Sequence, residues 1–219
     1  MIFKQNNNRK WFALLYVILF FILEIMIVTN GSVSTGFDHS IQGLFSSIVS
    51  PFNTKIFHLV TFLGSPIMDV IYLLLIMLFL YKKGQKKSSL WLGFVLISGN
   101  IISFLVKLTV HRQRPLDKII PASGYSFPSG HVFGTALVIL ALIMFVLPYI
   151  KNASAKNILT GLLIIWLITV AISRIYLRGH FPTDVIGSVL LAGTWWECSE
   201  LLWIRYSNSI TNLSKVNPD

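Results

Sequence analysis

Charge is the scarcest ingredient of this 219-residue chain: Asp, Glu, Lys and Arg make up 12% of it, and only 8 residues are acidic. Hydrophobic residues supply 54%, and the mean hydropathy of +0.72 is too high for a soluble domain of this length. Cysteine is almost absent. Cys198 stands alone in an apolar stretch, so no intrachain disulfide forms and it reads as an inert packing residue. Internal repeats and low-complexity tracts are missing as well. The shortage of acids leaves a net charge of +10, which in a soluble protein would suggest nucleic acid. Here the cations sit in short runs between apolar stretches, a pattern of membrane topology. Residues 1–219 are therefore expected to form one membrane-embedded domain with membrane lipids around it, and neither nucleic acid nor an obligate protein partner is expected.

A helix needs roughly 20 apolar residues to cross the hydrocarbon layer. Stretches near 11–28, 66–81, 88–108, 131–150, 157–177 and 184–203 approach that length, and Val60 to Gly64 extend the short second one. The expected fold is all-α, a polytopic bundle of six transmembrane helices. Lys4, Arg9 and Lys10 before the first run, with Ser32-Val33-Ser34 after it, loosely resemble a signal peptide. The run from Trp11 to Val28 is longer than a usual signal core and reads as a retained anchor. Glu24 inside it must face a partner or water, and a structural role is expected.

Lys4, Arg9, Lys10, Lys82, Lys83, Lys86, Lys87, Lys151, Lys156, Arg205 and Lys215 fall in the N-terminus, alternate loops and tail, which places both termini in the cytoplasm of a multi-pass cell-membrane protein. Lys55 falls outside. Trp11, Trp91, Trp195 and Trp196 lie near expected span ends, as interfacial anchors do. In the outer segment 29–65, Ile41, Leu44, Phe45, Ile48 and Val49 recur at helical spacing and predict an amphipathic interfacial helix. It either closes the bundle or guides a lipid head group inward. The Asn30-Gly31-Ser32 sequon is also outside, where a glycan would require a eukaryotic secretory route.

Three polar clusters interrupt the outward ends of the last four spans. They are Lys107 with Arg114-Pro115, then Pro128-Ser129-Gly130-His131, then Ser173-Arg174 with His180 and Asp184. Ionisable groups at membrane depth are costly, so their convergence on one side reads as a functional site on the extracytoplasmic face. Lys107, Arg114 and Arg174, with Arg178 as a further cation, would repel one another unless an anion sat among them. Arg grips phosphate oxygens through a planar fork and Lys acts as a point charge. Ser129 and Gly130 precede the fourth span, where free backbone N–H groups and the helix dipole make an anion seat. His180 and Asp184 read as a nucleophile and its orienter: a carboxylate on one imidazole nitrogen leaves the other lone pair for phosphorus. Pro182 suits the first turn of the sixth span, and His131 is free to protonate the leaving oxygen. His39, His58 and His111 read as structural, and Asp117 and Lys118 as solvated loop charges. A zinc site wants three or four ligands, whereas His131 and His180 lie among cations, so no metal and no cofactor are expected.

At these residues the sequence resembles the type 2 phosphatidic acid phosphatase (PAP2) superfamily, whose motifs read K-x6-R-P, P-S-G-H and S-R-x5-H-x3-D. All eleven fixed positions, from Lys107 to Asp184, match. The resemblance implies a metal-independent phosphatase acting through a phosphohistidine. Lys107, Arg114, Ser129, Gly130 and Arg174 would hold phosphate, His131 would be the acid, His180 the nucleophile and Asp184 its orienter. Substrates of similar membrane proteins include phosphatidate, phosphatidylglycerol phosphate and undecaprenyl diphosphate, in phospholipid synthesis or lipid-carrier recycling. The superfamily also holds soluble vanadium haloperoxidases, from which the apolar spans separate this chain. Two other functions share the site: a phosphoryl or head-group transferase passing the group to an alcohol, and a lipid or anion transporter that binds without cleaving.

Overall fold

The computed structural model describes residues 8–29 and 31–216, with side chains up to residue 206. Lys4, Asn30 and the Lys215 side chain, used above for topology and the sequon, lie outside the described residues. Among the described residues the chain is helical, without strands. Its helices are α1 (Arg9–Val28), α2 (Ser32–Ser46), α3 (Pro51–Leu63), α4 (Pro66–Lys82), α5 (Lys86–Val110), α6 (Gly130–Ala141), α7 (Ala153–Tyr176) and α8 (Pro182–Val216).

The segment 29–65 departs from expectation. The expected helix through Ile41 to Val49 stops at Ser46, leaving Ile48 and Val49 in a turn, and a second helix, α3, follows. Pro51 forces the break, since it holds Ser50 extended and opens a new helix at its first position. Ser50 Oγ accepts from Asn53 N–H at 3.2 Å to cap α3. The same Ser-Pro device starts α4, where Ser65 Oγ accepts from Met68 N–H at 3.4 Å and Pro66 leads the helix. Between them α3 and α4 bend by 42°. Gly64 sits at this elbow because a Cβ there would come within 2.7 Å of Val170 Cγ2 on α7.

Among the described residues four helices are long and apolar enough to cross a membrane: α1, α5, α6 with its continuation to Tyr149, and α7. A fifth span results if the bent α3 and α4 pair counts as one. The α8 segment expected as the sixth falls outside that count, because Glu197, Glu200 and several small polar residues dilute its hydropathy. Past Ala141, α6 relaxes into a π turn and a 3₁₀ turn ending at Pro148-Tyr149. More than half of the α6 span is buried, against 17% for α1 and 22% for α7, so α6 is the central helix. It packs on α4, α7 and α8, while α1 lies along α8.

Trp91 and Trp196 are core residues and not interfacial anchors. Their rings meet edge-on at 5.0 Å, the Trp91 indole donates to the Ser199 carbonyl at 3.3 Å, and the Trp196 indole donates to Glu200 Oε1 at 2.8 Å. An indole can be buried so deeply only with its N–H satisfied. Glu200 also pairs with Arg9, tying the start of α1 to α8. Gln85 Nε2 donates to the Tyr149 hydroxyl at 2.8 Å, joining the lysine-rich loop to the end of the α6 span. The three motif clusters gather at the opposite ends of the same helices, where α5 and α7 stop and α6 and α8 begin.

Candidate active site

Lys107 lies in the last turn of α5, and the chain then leaves the helix at His111 in a left-handed conformation, φ 51°. Its ammonium donates to the Tyr125 carbonyl at 3.3 Å and to the Pro128 carbonyl, which brings the first motif against the second. Arg114 sits on the long loop between α5 and α6. Its Nε donates to the Ser123 and Gly124 carbonyls at 3.1 and 3.0 Å, and Nη1 to the Gly179 carbonyl at 2.6 Å. Burial holds the Arg114 guanidinium below its ordinary value, and the charge of Asp184 opposes this.

Ser129 precedes α6 and is fully buried. Its N–H is not free, as the sequence suggested, but donates to Ser188 Oγ at 2.7 Å. The amides of Gly130 and His131 remain as first-turn donors without intrahelical partners. Ser129 Oγ has no partner among the described residues. Arg174, 3% exposed in the last turn of α7, donates to Thr61 Oγ1 of α3 at 2.5 Å, and its Nε is also unpartnered. Gly179 lets the turn pass over Arg174, since a Cβ there would collide with the guanidinium.

His180 is 2% exposed, and its Nδ1 stands 2.8 Å from the Ser126 carbonyl and 3.5 Å from Asp184 Oδ2. The expected carboxylate contact is thus the longer of two. The carbonyl can only accept, so it fixes the proton on Nδ1 and leaves the Nε2 lone pair free, the result expected of Asp184 alone. Nε2 lies 3.1 Å from Arg114 Nη1. Burial lowers the His180 pKa to about 4; the Asp184 hydrogen bond and charge oppose this, and Arg174 and Arg114 add to it. Asp184 receives the Phe181 N–H at 2.8 Å and the Arg112 guanidinium at 2.5 Å.

Lys107, Arg114, Gly130, His131, Arg174 and His180 line one cavity of about 510 Å³, next to which Ser129 and Asp184 are fully buried. The wall opposite is the elbow of α3 and α4, through Thr61, Phe62, Ser65 and Pro66. His58, read from sequence as structural, stands in this wall. Arg178 does not join the cationic group: it pairs with Asp117 at 3.0 Å and donates to Ser46 Oγ at 3.0 Å beside a neighbouring cavity. Asp117 is therefore paired, and Lys118 donates to the Ala122 carbonyl at 3.1 Å.

Sequence reasoning missed Arg112, Asp38, Ser126, Thr183 and Ser188. Arg112 hides in the variable spacer of the first motif. Asp38 had one available signal, an acid in a chain with only 8 acids.

A family model described as the PAP2 superfamily matches residues 88–207, more than half of the chain and all three clusters. The chain belongs to the PAP2 superfamily. Phosphatidylglycerophosphatase B of Bacillus subtilis (strain 168) is 28% identical over 185 residues, covering 80% of this chain and 86% of that protein. Undecaprenyl-diphosphatase BcrC of the same strain is 32% identical over 127 residues, 55% of this chain and 61% of that one. Among solved structures, the fold is shared with a transmembrane PAP2 type phosphatidylglycerolphosphate phosphatase from Bacillus subtilis. Its TM-score is 0.76 at 21% identity, over 88% of this chain and 96% of that one. Aquifex aeolicus LpxE has a TM-score of 0.58 at 20% identity, over 74% of this chain and 93% of that one.

Proposed function

We propose that this PAP2 member is an integral-membrane phosphatase that hydrolyses a lipid phosphate or diphosphate through a phosphohistidine. The observation that carries this is the meeting of Lys107, Arg114, Arg174 and His180 in one cavity at the mouth of an apolar bundle. His180 Nε2 attacks phosphorus in line, the bond from phosphorus to the lipid oxygen breaks, and His131 gives its proton to that oxygen. Water then attacks the phosphohistidine, passes a proton to His131, and returns His180 and inorganic phosphate. The three cations and the first α6 amides stabilise charge on the equatorial oxygens in both steps, and Ser129 contributes its hydroxyl. Asp184 orients the imidazole and balances the positive charge it acquires.

In this reading residues 1–219 are one domain in which α8 provides the sixth span, with α2 lying at the interface. The lysine-bearing end, with Lys82, Lys83, Lys86, Lys87, Lys151 and Lys156, faces the cytoplasm with both termini, and the cavity opens on the other side. The relatives' names favour phosphatidylglycerol phosphate and undecaprenyl diphosphate as substrates to test beside phosphatidate. The test is phosphate release from these three lipids by the detergent-solubilised protein in the presence of EDTA. Wild-type turnover by His180→Ala would remove the nucleophile assignment. A labelled lipid product without free phosphate would make the chain a transferase.

A further inference from the structure

Beside the cavity lies a second charged group, in which the motif residue Asp184 meets two residues that the motifs do not fix, Arg112 and Asp38. The Arg112 guanidinium donates through Nη1 to Asp184 Oδ1 at 2.5 Å and to Thr183 Oγ1 at 2.7 Å, and through Nη2 to Asp38 Oδ2 at 2.5 Å. Asp38 in turn accepts the Thr183 N–H at 2.9 Å on Oδ1 and the Thr183 hydroxyl at 2.8 Å on Oδ2. The guanidinium lies 4.3 Å from the Phe181 ring centroid, so both its edge and its face are fixed. Asp38 is 1% exposed and Asp184 0%, so these ions interact with little screening from water. Three separate parts of the chain meet here: α2, the loop after α5, and the first turn of α8.

The arithmetic of charge gives this arrangement a consequence for His180. Arg112 alone beside Asp184 would cancel the carboxylate and leave the imidazole without a counter-charge. Asp38 adds a second negative charge, so the Asp38, Arg112 and Asp184 group carries one net negative charge while each carboxylate keeps a donor. Among the described residues, the other ionisable groups that line the cavity with His180 are His58, Lys107, Arg114, His131 and Arg174, none of them acidic. We propose that Asp38 and Arg112 are positioning residues for the reaction, through which α2 holds Asp184 in place and preserves its net charge behind His180. The proposal rests on the phosphohistidine reading: when Nε2 bonds phosphorus the ring becomes cationic, and the group behind it stabilises that state.

Three full-chain variants, Asp38→Asn, Arg112→Gln and the double variant, separate net charge from simple scaffolding. Each is compared with wild type and His180→Ala for phosphate release from phosphatidate in detergent micelles. Asp38→Asn keeps the shape and, through its remaining carbonyl oxygen, the Thr183 N–H contact, while its amide nitrogen accepts nothing from the Thr183 hydroxyl or Arg112 and the group becomes neutral. Its kcat falls by about tenfold or more while KM stays within about twofold, because substrate is not touched. The low-pH limb of kcat/KM moves to lower pH, since the protonated imidazole loses its counter-charge. Arg112→Gln leaves two carboxylates facing each other without a cation. The double variant returns to one net negative charge, and its kcat exceeds that of Arg112→Gln by at least about threefold. Thermal unfolding shows whether each variant is folded, and if Asp38→Asn is not, the comparison of Arg112→Gln with the double variant decides. The proposal is overturned if folded Asp38→Asn keeps wild-type kcat and pH profile, or if the double variant does no better than Arg112→Gln. Wild-type turnover by His180→Ala would instead sink the nucleophile reading itself, a separate outcome.

Discussion

Arg114 Nη1 stands 3.1 Å from the Nε2 of His180 and donates to the Gly179 carbonyl, two residue types of contact from one nitrogen. The proton on Nδ1 is directed at the Ser126 carbonyl, so the lone pair of Nε2 is aimed at a cation proposed to grip phosphate. A phosphoryl oxygen that takes over the guanidinium brings phosphorus toward that lone pair. Binding and alignment are then one event.

Arg114→Lys tests that coupling. Lysine keeps the charge but has no fork to span the Ser123, Gly124 and Gly179 carbonyls and the ring nitrogen. We expect kcat/KM for lipid phosphate hydrolysis to fall by about a hundredfold. A loss below about threefold would show that charge alone suffices at this position.

The buried imidazole makes stability depend on pH in a defined window. The folded value of about 4 lies below the ordinary 6.5, so between these limits the unfolded chain binds a proton that the folded chain does not. Stability contributed by neutral His180 is complete above about pH 6.5, declines as pH falls, and is lost once pH drops through about 4. The slope is at most about 1.4 kcal/mol per pH unit. Thermal melts of wild type and His180→Gln in the same detergent should differ in slope across this window, with the variant flatter. Parallel curves would mean that the imidazole is not desolvated.

Gly179→Ala probes the turn that carries the histidine. The added methyl would meet the end of the Arg174 side chain, which can move, so the fold should survive while the guanidinium leaves its place beside Thr61. Turnover is expected to drop about tenfold or more with a melting temperature close to wild type. Equal loss of stability and activity would place the strain in the backbone instead.

How much of this was legible in the sequence depended on whether the signal was local. The three clusters were readable because each lies within a few residues of chain, and Lys107, Arg114 and His180 do line one cavity. Helix starts at Ser50-Pro51 and Ser65-Pro66 were equally local, yet the hydrophobic spacing of Ile41 to Val49 hid the first of them. Burial of Trp91 and Trp196 was not readable, because an indole near a span end serves as anchor or core depending on the acceptor it meets. Arg112 and Asp38 escaped for the same reason. Their meaning comes from a pairing across 74 residues of sequence.

Ser129 separates catalytic from structural accounting. Its hydroxyl is fully buried and has no hydrogen-bond partner among the described residues, an arrangement that costs a folded protein free energy. Ser129→Ala removes the unsatisfied oxygen and leaves the N–H contact to Ser188 in place, so thermal stability should stay equal or rise slightly. If the hydroxyl is held for the phosphoryl group, the same variant should lose activity by about tenfold, seen in kcat/KM for lipid phosphate release. A stable variant with full activity would reduce Ser129 to a packing residue, and an unstable one would mean that its oxygen has a partner in the folded state.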